Sequence, residues 1–214
     1  MKRVVRIALT AAGVASGYLL VKGALAYRAE RRRQAVFPAK DANALLNPLR
    51  RLVMPVRRTL ERFDLAEGQT VLELGPGPGY YSIEASRIIG PGGRLVCLDI
   101  QRGMIEQLSA RLAEAGVANT DLLVGDAINL PLRSGSVDRA FLVTVLGEIP
   151  DAAAALAELR RVLRPGGLLG FEESLGDPDY VLVGKLRGLC AAAGFMPVAH
   201  HRNVLGYTAV FRAG

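Results

Sequence analysis

From Val71 to Gly79 the chain reads Val-Leu-Glu-Leu-Gly-Pro-Gly-Pro-Gly: an apolar run with one acid, Glu73, enters a turn with glycine at every second position. Residues without a Cβ let the main chain come up against a ligand, and nucleotide-binding α/β folds use such a turn between a strand and a helix. Three alternating glycines exceed the needs of an ordinary strand-to-helix turn. The dinucleotide fingerprint G-x-G-x-x-G is the nearest competitor. Tyr80 stands where its third glycine would be, so a pyrophosphate site is disfavoured.

Two aspartates fall where a nucleoside would need them. Asp99 closes a second apolar run, where a carboxylate can accept both hydroxyls of a ribose. Gly125-Asp126-Ala127 closes a third run, where an acid can accept from an adenine amino group. Taken singly, either aspartate also suits a helix N-cap. With the glycine turn, at one edge of one sheet, they outline a nucleoside pocket.

Other reactive side chains are fewer. Cys97 falls in mid-strand and Cys190 in mid-helix, which reads as core, and two cysteines without Trp exclude a disulfide scaffold or a Cys-rich zinc module. His200 and His201 have no acidic partner at ligand spacing, so no metal is expected. Glu172 and Glu173 must point to opposite faces of a strand, and Glu172 is favoured to line the site. Asp177 and Asp179 flank Pro178 in a turn that suits helix capping.

The elements that hold these groups follow from Leu65 onward, where apolar runs alternate with helical patterns. That is the signature of an α/β fold, a mostly parallel sheet covered by helices on both faces. Strands are predicted at Thr70–Leu74, Arg94–Asp99, Thr120–Val124, Val137–Val145 and Leu168–Glu172. Helices are predicted from the glycine turn to Ile89, over Gln101–Ala115, over Asp151–Leu163 and over Val181–Ala193. Arg164-Pro165-Gly166-Gly167 ends the third of these, since proline and glycine cannot continue it. Strands near Met196–Arg202 and Leu205–Arg212, joined by a tight turn at Asn203, form an antiparallel hairpin that completes a seven-stranded Rossmann-like sheet.

Charge is divided unevenly along the 214 residues. Residues 1–62 carry 14 basic side chains against 3 acidic ones, and residues 63–214 carry 13 against 17, so the excess of +7 belongs to the N-terminal third. That is a poor description of a nucleic-acid-binding globule. It fits a basic, membrane-proximal segment ahead of a globular domain, because anionic headgroups attract nearby Lys and Arg by roughly 1 kcal/mol each. Residues 7–21 hold no charge, and the stretch Val4–Tyr27 could span a bilayer if Arg6 and Lys22 snorkel. An interfacial helix, a secretory signal peptide with Ala24-Leu25-Ala26 as its cleavage site, and a buried helix are the alternatives. Arg28, Arg31, Arg32 and Arg33 would keep the C-terminal side in the cytoplasm. The chain thus divides into an N-terminal hydrophobic helix with its basic flank (1–33), a connector (34–63) and the α/β domain (64–214). Within the connector, Leu49, Leu52, Val53, Val56, Leu60 and Phe63 recur at helical spacing among five arginines, interrupted near Pro55. This helix would pack across the domain, lie on a membrane or cover the site.

The motifs resemble those of the class I S-adenosylmethionine-dependent methyltransferases. Val71–Gly79 is similar to their first motif, Asp99 to their ribose-binding acid and Gly125-Asp126-Ala127 to their adenine-side motif. Ser136-Val137-Asp138 leading to Val145-Leu146-Gly147-Glu148-Ile149-Pro150-Asp151 is similar to their fourth-strand motif, and Leu159–Gly167 to their post-helix signature. The resemblance implies S-adenosylmethionine as cofactor, held by Glu73, Gly75, Gly77, Gly79, Tyr80, Asp99, Ile100, Met104, Asp126, Ala127 and Thr144. It also implies methyl transfer by in-line displacement. Many relatives read Glu-His where this chain has Gly147-Glu148, so a role for that histidine does not transfer. Cys97 and Cys190 do not supply the cysteines of the arsenic-methylating branch. If the acceptor must lose a proton, candidate bases are Glu148, Glu172, Glu173, His200, His201 and Tyr81, with Glu148 and Glu172 favoured as catalytic residues. The anchor points to a small lipophilic acceptor. A soluble acceptor, or a tethered S-adenosylmethionine-binding protein without turnover, are the other readings.

Overall fold

In a computed structural model the described residues are 36–47, 54–203 and 205–214, and residues 36–214 form one compact unit. The predicted anchor and the first part of the amphipathic connector helix, residues 48–53, lie outside the described residues. Among the described residues no helix is long and apolar enough to cross a membrane.

After a 3-10 helix (Ala39–Leu46) and helix α1 (Val56–Arg62), strands and helices alternate: β1 (Thr70–Leu74), α2 (Ser82–Ile89), β2 (Arg94–Asp99), α3 (Arg102–Glu114) and β3 (Thr120–Val124). Then follow β4 (Val137–Val143), a 3-10 turn (Leu146–Glu148), α4 (Ala152–Val162), β5 (Leu163–Ser174), α5 (Val183–Ala192), β6 (Phe195–Asn203) and β7 (Gly206–Ala213). The seven strands lie in the order β3-β2-β1-β4-β5-β7-β6. The first five are parallel to one another, and β7 runs antiparallel to both β5 and β6. Because the chain leaves β1 to one side for β2 and later returns to its other side for β4, the order reverses there. A crevice opens at the carboxyl ends of the strands at such a switch point.

Both sheet faces are covered, which is why the inner strands read as continuous apolar runs. On one face α4 and α5 bury Leu156, Leu159, Leu186 and Cys190 against Leu72, Val96 and Phe171. On the other, α1, α2 and α3 bury Leu60, Ala85, Ile89 and Leu108 against Val71, Leu95, Cys97 and Phe141. Phe63, just after α1, stacks on Phe141 with ring centroids 5.6 Å apart. Gly170 on β5 admits that ring, since a Cβ there would enter it. The described part of the basic connector helix therefore packs across the domain.

Several expectations are corrected. Strand β5 begins at Leu163, not Leu168: Leu163 pairs with Val137 and Leu168 with Arg139, so the Arg164–Gly167 turn is absorbed as an irregularity within the strand. Strand β4 ends at Val143, because Thr144 turns into left-handed space with φ 52°. The 3-10 helix Ala39–Leu46 was not predicted, although Ala39, Ala42 and Leu45 recur at its three-residue period. Asp177 and Asp179 do not cap α5, whose N-cap is Leu182 without a side-chain bond. Asp177 instead accepts the Asp179 N–H at 2.8 Å, closing its own turn. Asp151 does cap α4, accepting the Ala154 N–H at 2.9 Å.

Candidate functional site

A cavity, open to solvent, occupies the switch-point crevice. Its floor is the turn after β1. Gly75 has φ 70° and a Cβ there would strike the Val145 side chain, so the turn can lie this close to the post-β4 segment only with glycine. At Gly77, φ 54°, an added Cβ would meet only Leu45 Cδ1 at 3.5 Å, so bare main chain faces the cavity. Gly79, also expected at the cofactor, is absent from the lining and has its Cα packed against Leu108 of α3.

Asp99 is held from both sides. Its Oδ1 accepts the Gln101 N–H at 2.9 Å and its Oδ2 the Gly77 N–H at 3.2 Å. An ionised carboxylate has about four acceptor directions, so each oxygen can still take a ligand hydroxyl. Burial raises its pKa, and the main-chain N–H groups of Gln101, Gly77 and Ile100 oppose the rise. Asp99 therefore does not cap α3. It ties the ends of β1 and β2 together and faces the cavity. Asp126 also lines the cavity and accepts the Ile128 N–H at 3.1 Å.

Beneath the turn, Glu73 is 3% exposed and accepts the Cys97 thiol at 3.7 Å. Burial is the chief reason its carboxyl is pushed up to about 7. Glu73, Gly75, Gly77, Tyr80, Asp99, Ile100, Met104, Asp126, Ala127, Thr144 and Glu148 all line the one cavity. Thr144, a non-glycine residue at positive φ, is held by its N–H bond to the Glu172 carbonyl at 2.8 Å; such outliers concentrate at functional sites.

The two acids favoured for catalysis separate. Glu148 reaches the cavity and accepts the Phe37 N–H at 3.3 Å. Glu172 does not line it; the hydroxyl of Tyr81, which does, donates to its Oε2 at 2.6 Å. Glu173, on the other face of β5, accepts the Val181 N–H at 3.1 Å, and burial pushes its carboxyl up to about 8. Neither histidine lines the cavity; His200 packs on Tyr207 with ring centroids 5.6 Å apart, and burial lowers its pKa. Cys97 and Cys190 are buried and free, as expected of core residues. Among the described residues no cluster could hold a metal ion.

Sequence reasoning missed one wall altogether. Val36, Phe37 and Leu45 line the cavity from the connector, and Gln101 and Asp177 join them. A segment this short can pack on any neighbouring surface, and no local pattern announces that it lies over a cleft. The departure at Gly147 also gains a reason: a Cβ there would collide with the Asp179 carbonyl oxygen, so glycine lets the β5–α5 loop close against the post-β4 turn.

Bare main chain at Gly77 and the Asp99 carboxylate thus face one cleft at the reversal of a doubly wound sheet, and solved structures share this fold. A SAM-dependent methyltransferase from Aquifex aeolicus superposes with TM-score 0.79 at 21% identity, covering 84% of this chain and 100% of that one. The fold is that of the S-adenosylmethionine-dependent methyltransferases. Residues 71–167 match the family model described as a methyltransferase domain. Among curated proteins, an uncharacterized 37.1 kDa protein in transposon TN4556 of Streptomyces fradiae is 39% identical over 56% of this chain and 33% of its own length. The demethylmenaquinone methyltransferase of Lactococcus lactis is 34% identical over 51% of this chain and 44% of its own. The chain thus spans less than half the length of the curated relatives it matches.

Proposed function

We propose that this protein is an S-adenosylmethionine-dependent methyltransferase whose acceptor is small and lipophilic and which works at the cytoplasmic face of a membrane. One observation carries the reading: a single cavity joins the nucleoside-binding groups at Gly77 and Asp99 to apolar and aromatic walls from Phe37, Tyr80, Tyr81, Val143 and Ile149, with Glu148 among them. When bound, S-adenosylmethionine supplies an electrophilic sulfonium methyl. The chain supplies position. Asp99 accepts the ribose hydroxyls, the Gly77 backbone allows close approach, and the apolar walls exclude water while they orient the acceptor. Glu148, fixed on one oxygen by the Phe37 N–H, holds or takes the acceptor's proton. Tyr81, anchored by Glu172, keeps its ring fixed as a wall.

A relative named for demethylmenaquinone, a lipophilic quinone, supports this class of acceptor. The uncharged run at residues 7–21 and the arginines after it support the membrane placement. The test is to incubate the full chain and labelled donor with membrane extract and, separately, with soluble extract. Label transferred to a lipid-extractable product, with S-adenosylhomocysteine released, supports the proposal. Label only in soluble products rejects the lipophilic acceptor; donor binding without transfer to either extract rejects the enzyme.

A further inference from the structure

Residues 36–46 lie over the cleft as a strap, hydrogen-bonded through Phe37 and Ala39 to groups on both walls. On the wall that carries Asp99, the Gln101 side-chain amide donates to the Phe37 carbonyl at 2.7 Å and accepts the Ala39 N–H at 3.1 Å. One uncharged side chain thus pairs with the strap as a neighbouring β-strand would. Gln107, two helical turns along α3, adds a bond from its Nε2 to the Ala39 carbonyl at 2.9 Å. Gly103 leaves room for the strap: a Cβ there would stand 3.2 Å from the Ala39 Cβ. On the opposite wall the Phe37 N–H reaches Glu148. On either side of these bonds Val36, Phe37 and Leu45 line the cavity.

We infer that Gln101 is a positioning residue that latches this strap over the nucleoside cavity, so that an S-adenosyl ligand leaves only when the latch opens. The inference rests on the proposed cofactor. The reason lies in what Gln101 joins: its main-chain N–H holds the Asp99 carboxylate while its side chain holds the strap. The acid that grips the ribose and the cover above it are therefore fixed by the same residue. The role requires an amide of this length. Glutamate has no N–H for the Phe37 carbonyl, and asparagine is one methylene too short to reach both strap groups.

The test uses the full chain and S-adenosylhomocysteine, so no acceptor need be known. Stopped-flow and calorimetry should show the ligand leaving Gln101→Ala about tenfold faster or more, corresponding to about 1.4 kcal/mol. Amide exchange at Phe37 and Ala39 should be slow in the liganded wild type and fast in liganded Gln101→Ala. Gln107→Ala, which loses only the Ala39 carbonyl bond, should show a smaller change of the same sign. Gln101→Glu keeps the side chain's bulk and should behave as Gln101→Ala does, which provides the readout if the alanine variant unfolds. If the wild type binds S-adenosylhomocysteine and these variants release it at the wild-type rate with unchanged exchange, the latch is overturned while the cofactor assignment stands. If the wild type gives no heat with the ligand, the cofactor assignment fails and the latch with it.

Discussion

At the scale of single residues, the site depends on carboxyl groups kept in unlike surroundings. Asp99 shares its oxygens between two main-chain N–H groups and the cavity. Replacing it by asparagine keeps the shape and one acceptor oxygen but removes the charge and sets an NH₂ against an N–H. Hydrogen bonds to a charged group contribute roughly 1.5–3 kcal/mol. Asp99→Asn should therefore weaken S-adenosylhomocysteine binding by about one to two orders of magnitude in calorimetry, with the fold retained by circular dichroism. Glu173 is the contrary case, a buried acid outside the cavity. Its folded-state value of about 8 lies above the ordinary 4.5, so the folded chain binds this proton more tightly than the unfolded one. Stability from this group is present below pH 4.5 and is lost as the pH rises through 8. Glu173→Gln, neutral and still able to accept the Val181 N–H, should unfold at a higher temperature than the wild type at pH 8.5. At pH 4.5 the two should melt together. Equal melting temperatures at both pH values would mean that the Glu173 carboxyl is not raised. Glu73 acts in the same sense, its loss falling between 4.5 and about 7.

At the scale of elements, the cavity is made by connections. Strands β1, β2 and β4 bring their carboxyl ends together, but the walls come from the turn after β1, the post-β4 turn, the β5–α5 loop and the 36–47 segment. Gly147 is where two of these meet. Gly147→Ala would force a methyl onto the Asp179 carbonyl, and rigid main chain cannot give way as a flexible side chain would. The β5–α5 loop should swing out, seen as faster proteolysis or amide exchange over residues 175–182, with a loss of roughly 1–3 kcal/mol in stability. Exchange within β5 and β7, which are paired along seven residues, should stay slow. Sequence periodicity identified nearly every regular element because each buries a stripe or a face. It did not identify the 3-10 segment, and it misplaced the start of β5, because pairing across the sheet, not local propensity, decides where a strand begins.

At the scale of the whole molecule, charge and hydropathy divide the chain, with the basic excess confined to residues 1–62 and the acidic balance beyond. Removing residues 1–33 takes away none of the described residues. It should lower turnover of a lipophilic acceptor presented in anionic vesicles by about tenfold or more, since tethering raises effective concentration. Turnover of the same acceptor dispersed in detergent should not change. An equal loss in both formats would mean that the segment acts on the domain rather than on its location.

The sheet with its glycine turn, the acids at the strand ends and the nucleoside as ligand class were legible in the chain alone, because each is written in contiguous residues: a buried run, a turn that admits no Cβ, a carboxylate at a strand's end or just beyond it. Only the tertiary structure decided which groups share a wall. It brought Glu148 to the cavity while bonding Glu172 to the Tyr81 hydroxyl, packed Gly79 against Leu108, and set Gln101 across from Phe37, 64 residues away. The physical reason is one of range. Backbone conformation and burial period are fixed by near neighbours, whereas a side chain's partner across a cleft depends on how distant segments are brought together, which no local pattern records.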